Sequence, residues 1–465
     1  MEQINSTLPS STIAAISTPH GSGAIAIIRM SGHESLDIAS KVWHGKDPHL
    51  ITPRHATLGY ILDNTGDLLD QVLLTTFHAP ASFTGENMVE IACHGSLYLQ
   101  RAILTRLIDA GAQPAGPGEF SMRAVMNGQM DIAQAEGVAD LIASSSRASA
   151  SIAMRQMKGN ISARLNALHD KLTELASLVE LELDFSEEDV EFASRARLLT
   201  ITEEIASYLK NLIDSYSTGT AIKDGIPITI AGAPNAGKSS LLNAITNDER
   251  AIVSDIPGTT RDTIEEPITL GPYLFRITDT AGLRHTADPI EKAGIERTLK
   301  AIETAGILLA IIDSTLPPDM TLIPTPRKAD TQTVILLNKC DLPSAQPAAW
   351  RSKIKAKGLM ADIVDMSTIN AKDIQNIKDL LIFKARNMEH HAGEEIITSE
   401  RHRAALSEAL ISIQQIKTAL EQSLPMDMLT QDIRHAIHHL GTVTGHTITT
   451  PTLLNNLFSH FCIGK

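Results

Sequence analysis

Cysteine, aromatic residues and long apolar runs are all scarce in this 465-residue chain, and each scarcity excludes a class of protein. The three cysteines, Cys93, Cys340 and Cys462, lie far apart without CxxC spacing, which argues against a disulfide framework or a zinc knuckle and for a reducing compartment. Aromatics make up 3% of residues against 43% apolar, so the cores are expected to use Ala, Leu and Ile on helices and parallel strands. No run of about 18 apolar residues occurs, and Arg and Lys are missing before Arg29, so membrane spans, secretory leaders and transit peptides are not expected. The cytoplasm is the expected location. Basic residues are in deficit too: 40 Lys and Arg face 54 Asp and Glu, a net charge of −14. Such a field repels nucleic acid, so any RNA contact needs a local patch or a partner.

Proline is absent between Pro117 and Pro227, and residues 129–183 within that stretch show helical spacing rich in Ala, Leu, Ser, Glu and Arg. Before it, residues 1–125 alternate short apolar runs such as Ile13–Ile16, Ala24–Ile28 and Val72–Thr76 with turn clusters, the pattern of an α+β domain. After it, residues 221–385 alternate strand-like and helical runs, as a doubly wound, mostly parallel sheet requires. Helical patterns resume at Ser399–Gln422 and Met428–Leu440. The simplest assembly joins residues 126–220 and 386–465 into one discontinuous α-helical domain with the α/β domain inserted between them. The Pro-rich stretch Leu316–Pro326 reads as a surface loop.

The inserted segment carries the chemistry. The apolar run Ile226–Ala231 leads into Gly232-Ala-Pro-Asn235-Ala236-Gly237-Lys238-Ser239, followed by Ser240 and a helical pattern, which is a phosphate-binding GxxxxGK[ST] loop in its strand–loop–helix setting. Backbone N–H groups and the helix N-terminus face the phosphates, Lys238 neutralises β and γ oxygens, and the Ser239 hydroxyl suits Mg²⁺. Downstream, Thr259 and Thr260 supply switch hydroxyls, and Asp279-Thr280-Ala281-Gly282 places a carboxylate and a flexible glycine at a strand end. Finally, Asn338-Lys339-Cys340-Asp341 selects the base, because the Asp341 carboxylate accepts from guanine N1–H and its exocyclic amine, a donor pair adenine lacks. Ser367-Thr368 sits where a base-closing loop would fall, with Thr in place of the expected Ala. Leu283 occupies the usual place of a water-orienting Gln, so another group must do that work. Asn235 is placed either to coordinate a monovalent cation beside the phosphates or to cap its own loop.

With these motifs in place, the chain resembles the tRNA modification GTPase family MnmE, also called TrmE, over essentially its whole length. The specific matches are Gly-Thr-Thr-Arg-Asp at 258–262, Asp-Thr-Ala-Gly-Leu-Arg at 279–284, Phe-Thr-Gly-Glu at 83–86, Pro-Gly-Glu-Phe at 117–120, Ala-Gln-Ala-Glu at 133–136 and Cys-Ile-Gly-Lys at 462–465. The resemblance implies a homodimer with an N-terminal folate-binding domain over residues 1–125, a two-segment helical domain and an inserted G domain. It also implies action with the flavoprotein MnmG, which carries FAD, on carbon 5 of the wobble uridine of certain tRNAs. The one-carbon donor would be 5,10-methylene-tetrahydrofolate, with 5-formyl-tetrahydrofolate as an alternative ligand. GTP hydrolysis would drive conformational change.

By the same resemblance, K⁺ would be held by Asn235, Ser254, Ile256 and Thr259, Ser254 standing where Thr is more usual. Mg²⁺ would be held by Ser239 and Thr260, and Asp255, Pro257 and Gly258 would complete the nucleotide-contacting switch. Glu291 would orient the attacking water; on the residues alone it is one acid on an exposed helix. Arg29, Glu86 and Lys465 would hold folate, and Gln129 stands where the family has Lys, one cation fewer. Cys462 reads either as a nucleophile or as an unconstrained thiol. His435, His438 and His439 share a helical face, either as metal ligands lacking an outside partner or as a partly exposed histidine face. Rival readings are a ribosome-assembly GTPase, which usually carries an RNA-binding module or second G domain that is not found here, and a stand-alone folate-dependent transferase.

Overall fold

The computed structural model describes residues 11–184, 195–246, 265–279, 301–324, 331–359, 361–422, 424–425, 427–445, 454, 457–459, 461 and 464. The chain divides into two compact units. The first comprises residues 1–139, 156–205 and 408–465, the second residues 140–155 and 206–407.

The first unit opens with β1 (Ile13–Ile16), β2 (Ile25–Ser31), α1 (Ser35–Val42), β3 (Trp43–His44), β4 (Thr57–Leu62), β5 (Leu68–Phe77), β6 (Met88–His94), α2 (Leu97–Asp109), β7 (Gln113–Pro114) and α3 (Glu119–Met126). The strands form one sheet in the order β3-β4-β5-β6-β2-β1-β7, antiparallel except for the parallel β1–β7 pair. Strand β5 shows why one face is covered: Asp70, Val72, Leu74 and Thr76 alternate inward while Gln71 and Leu73 face out, the period of a pleated strand. Leu36, Ile38 and Val42 of α1 and Ile103 and Leu107 of α2 pack on Ile28, Val72, Leu74, Val89 and Ile91. Outside, Leu58 and Leu73 oppose one another across β4 and β5 and stay exposed.

Four helices follow: α4 (Ile132–Ala143), α5 (Arg147–Met157), α6 (Asn160–Asp184) and α7 (Arg195–Asp224). The helical pattern over 129–183 is therefore broken twice. One break is a capping arrangement, in which Ser146 and Ser149 each accept the other's backbone N–H at 3.1 Å. The other is at Gly159, whose φ is 80°.

The second unit contains β8 (Ile226–Ala231), α8 (Lys238–Thr246), β9 (Glu265–Leu270), β10 (Tyr273–Asp279), β11 (Ile307–Asp313), β12 (Gln332–Asn338), α9 (Pro347–Ala356), β13 (Asp362–Asp365) and α10 (Ala371–Ala392). Its sheet runs β13-β12-β11-β8-β10-β9, parallel except for β9. Strand β11 is buried from Ile307 to Ile312, the continuous apolar run of a strand covered on both faces. Leu241 and Ile245 of α8 and Ile377 and Leu381 of α10 fill one core, and Trp350 and Ile354 of α9 fill another. The α5 segment is tied to the β9–β10 hairpin: Ala148 N donates to Pro272 O, and Glu389 takes both the Tyr273 hydroxyl at 2.7 Å and Arg155 at 3.4 Å.

The last helices are α11 (Glu400–Glu421) and α12 (Asp427–Thr444). Within the first unit, α12 packs along α6 through buried residues such as Leu168, Leu172, Ile433 and Leu440. Phe458, 2% exposed, joins Met122, Ile132, Ala135 and Leu454 in a small core, and Ser17 Oγ donates to Gly464 O at 3.0 Å. The structure is thus an α+β domain, helices drawn from two chain segments, and an inserted doubly wound α/β domain.

Candidate nucleotide and folate sites

The nucleotide site is built at the carboxyl ends of β8, β11 and β12, where an open parallel sheet leaves its crevice. Two glycines let β8 turn into α8. A Cβ on Gly232 would lie 2.2 Å from Ile311 O, and one on Gly237, at φ 106°, would lie 2.2 Å from Asn338 Nδ2. Between them Asn235 sits in the left-handed region at φ 60°, with its side chain exposed. Lys238, 6% exposed, curls over the loop and donates from Nζ to Gly232 O at 3.0 Å and Ala233 O at 2.8 Å. Its ammonium therefore sits over the ring of backbone groups where phosphate oxygens would converge, so the loop fits a polyphosphate. Ser239 and Ser240 open the first turn of α8 and are exposed.

Asn338 ties this loop to the 338–341 loop, the one expected from sequence to select the base. Its amide nitrogen donates to Ala236 O at 2.8 Å, its Oδ1 accepts from Thr368 N at 3.1 Å, and its carbonyl accepts from Ser314 N and Oγ. Thr368, the residue that departs from the usual closing box, is thereby brought to the base-selecting loop. Lys339, at φ 64°, pairs through Nζ with Asp313 Oδ2 at 2.6 Å. Asp313 Oδ1 also accepts from Thr315 N and Oγ1. Burial raises the Asp313 carboxyl, but hydrogen bonds from Lys339 and Thr315 outweigh it and hold the group below the ordinary carboxylate value. Asp341 is exposed and has no ion pair among the described residues. Sequence reasoning passed over Asp313 and Ser314; an Asp-Ser-Thr turn closing an apolar strand was the available signal.

Asp279 ends β10 in register with Ile230, beside the strand that feeds the phosphate loop. Ser254, Asp255, Ile256, Pro257, Gly258, Thr259, Thr260, Thr280, Ala281, Gly282 and Glu291 lie outside the described residues, as do Cys462 and Lys465.

In the first unit, the β2–β6 pair and α3 gather the predicted folate residues. Arg29 lies over the rings of Phe83 and Phe120, at 5.4 and 5.8 Å from their centroids, and pairs at 2.8 Å with Glu90, its register partner. Glu86 accepts from Ser31 Oγ at 2.7 Å and from Arg123 Nη1 at 3.2 Å. Arg123, fully buried, also holds Glu119 at 2.8 Å. Gln129 is exposed and backs onto Gly85, whose added Cβ would stand 3.0 Å from Gln129 Nε2. Arg29, Glu86 and Gln129 thus border one region, and Gly464, next to Lys465, reaches Ser17 just after β1. Glu90 and Arg123 were not singled out from sequence, and Glu119 entered only within the Pro-Gly-Glu-Phe match.

His435, His438 and His439 lie on α12, where burial and then the neighbouring His438 lower the His439 value. No group of three His, Cys, Asp or Glu among the described residues could hold a metal, and no helix among them is long and apolar enough to cross a membrane.

Comparison with known proteins gives the family. Residues 12–129 match the model of the GTP-binding protein TrmE N-terminus, and residues 132–462 match that of the MnmE helical domain. Among curated relatives, the tRNA modification GTPase MnmE of Porphyromonas gingivalis is 44% identical, over 98% of this chain and 98% of the relative. The proteins of the same name from Flavobacterium psychrophilum and Bacteroides thetaiotaomicron are each 42% identical, over 98% of this chain and 99% of theirs. With one family model spanning residues 132–462, a second spanning 12–129, and relatives above 40% identity matched almost end to end, the chain belongs to the MnmE family of tRNA modification GTPases.

Proposed function

We propose that the protein hydrolyses GTP in a K⁺-stimulated cycle and, with the flavoprotein MnmG, adds an aminomethyl or carboxymethylaminomethyl group to carbon 5 of the wobble uridine of certain tRNAs in the cytoplasm. The observation that carries the nucleotide half is the Asn338–Ala236 hydrogen bond, which holds the phosphate loop and the guanine-selecting loop as one surface. Lys238 meets the β and γ phosphates, and Asp341 accepts from the guanine edge. Ser239 and Thr260 hold Mg²⁺, while Asn235, Ser254, Ile256 and Thr259 hold K⁺. Asn235 fits that task because its left-handed backbone presents an exposed side chain with no hydrogen-bond partner among the described residues. When bound, the cations supply positive charge against the phosphate charge of the transition state. Glu291 orients water.

In the N-terminal domain, Arg29 and Lys465 face the glutamyl carboxylates of a tetrahydrofolate, Glu86 its pterin donors, and Gln129 hydrogen-bonds without charge. The exposed Leu58–Leu73 pair is an apolar sheet face suited to the homodimer. Cys462 takes part in the modification step.

GTP hydrolysis in matched KCl and NaCl buffers tests this reading. Strong stimulation by KCl alone, lost in Asn235→Ala, supports it. Equal slow rates in both salts sink the cation mechanism, and full stimulation retained in the mutant moves the cation site elsewhere.

A further inference from the structure

The end of β11 carries an acid, Asp313, that the nucleotide chemistry above does not use. Asp313 and Asn338 are register partners at the ends of adjacent strands, so the carboxylate of Asp313 faces the first residues of the base-selecting loop. It captures the Lys339 ammonium at 2.6 Å. Its second oxygen is held by Thr315, and Ser314 fixes the Asn338 carbonyl from the same turn, so the acceptor is pinned before Lys339 arrives. Asp341 lies two residues beyond Lys339, within reach of a lysine stem, yet is exposed and unpaired among the described residues. An unanchored ammonium that close to a carboxylate would pair with it and compete with the guanine donors for its oxygens.

We propose that Asp313 is a positioning residue for guanine specificity: by holding Lys339 it leaves the Asp341 carboxylate open to the base. The proposal rests on the reading of Asp341 as the guanine acceptor, and it adds a residue on another strand to the selectivity device.

The test compares binding of GDP and IDP to the full-length protein by competition with a fluorescent GDP analogue. IDP lacks the exocyclic amine, so the ratio of the two affinities reports the second Asp341 hydrogen bond, and the Lys339→Met background separates restraint of the lysine from general loosening of the loop. Asp313→Asn should weaken GDP by about tenfold and IDP by less, narrowing the ratio by about threefold or more. Asp313→Glu should restore much of the ratio. In a Lys339→Met background, with no ammonium to restrain, Asp313→Asn should leave the ratio alone. Equal weakening of GDP and IDP, or an undiminished effect of Asp313→Asn in the Lys339→Met protein, overturns the proposal. Asp341→Asn separates the two readings. If that variant keeps the normal GDP preference, the guanine-acceptor reading fails. If it loses the preference while Asp313→Asn keeps it, only the role of Asp313 fails.

Discussion

The side-chain amide of Asn338 donates to the carbonyl of Ala236 across 2.8 Å, joining two loops 102 residues apart in the chain. Asn338 is 1% exposed and every polar group it offers is used. Asn338→Ala should therefore cost about 1–3 kcal/mol of stability, because the Ala236 carbonyl and the Thr368 amide are left without partners. It should also abolish GTP binding. Calorimetric melting and nucleotide titration check both, and a mutant that binds GTP normally contradicts the linkage.

Gly237 carries the same relationship from the other side. Gly237→Ala would drive a methyl into Asn338 Nδ2 at a backbone angle side chains rarely adopt. Nucleotide affinity should fall by at least about tenfold while circular dichroism stays near wild type, since the clash is confined to the loop.

Buried Arg123 serves two carboxylates, Glu86 and Glu119. Arg123→Met removes the cation that the two acids share, and urea unfolding should show a loss of about 3 kcal/mol, as expected when one partner of a buried ion network is deleted. Arg123→Lys should fall between, because a single ammonium cannot reproduce the guanidinium's separate bonds to the two acids. Equal stability of all three proteins would show that the network is incidental.

Cys93 is 3% exposed, and burial, aided by Asp70, pushes its thiol up to about 11 from an ordinary 9.0. Because the folded value is raised, the unfolded chain releases its proton first. This contribution to stability is intact below pH 9 and is lost as pH rises from 9 towards 11. Cys93→Ala should flatten that part of the stability profile, and the wild-type thiol should stay unreactive towards a disulfide reagent at pH 8 until the protein unfolds.

How much of this was legible beforehand follows from how far apart the interacting residues are in sequence. The phosphate loop at 232–239 and the base-selecting run at 338–341 are contiguous, and their neighbouring strands announce themselves as apolar runs. The Arg123 network and the Asp313–Lys339 pair were not readable, because each depends on register or helix phase that only the folded chain sets. The two interruptions of the helical stretch were hidden for a different reason. Serines and a single glycine are tolerated on helix surfaces, and only the reciprocal Ser146–Ser149 bonds and the φ of Gly159 mark them as stops.

The bond from Ser17 to Gly464 joins residues 447 positions apart, and Phe458 completes a small core with Met122 and Ile132. On a ribosome the N-terminal sheet emerges first, but those partners emerge only after the helices and the G domain. The domain made first is thus among the last to be finished, and it must wait through nearly the whole of synthesis with part of its apolar surface open.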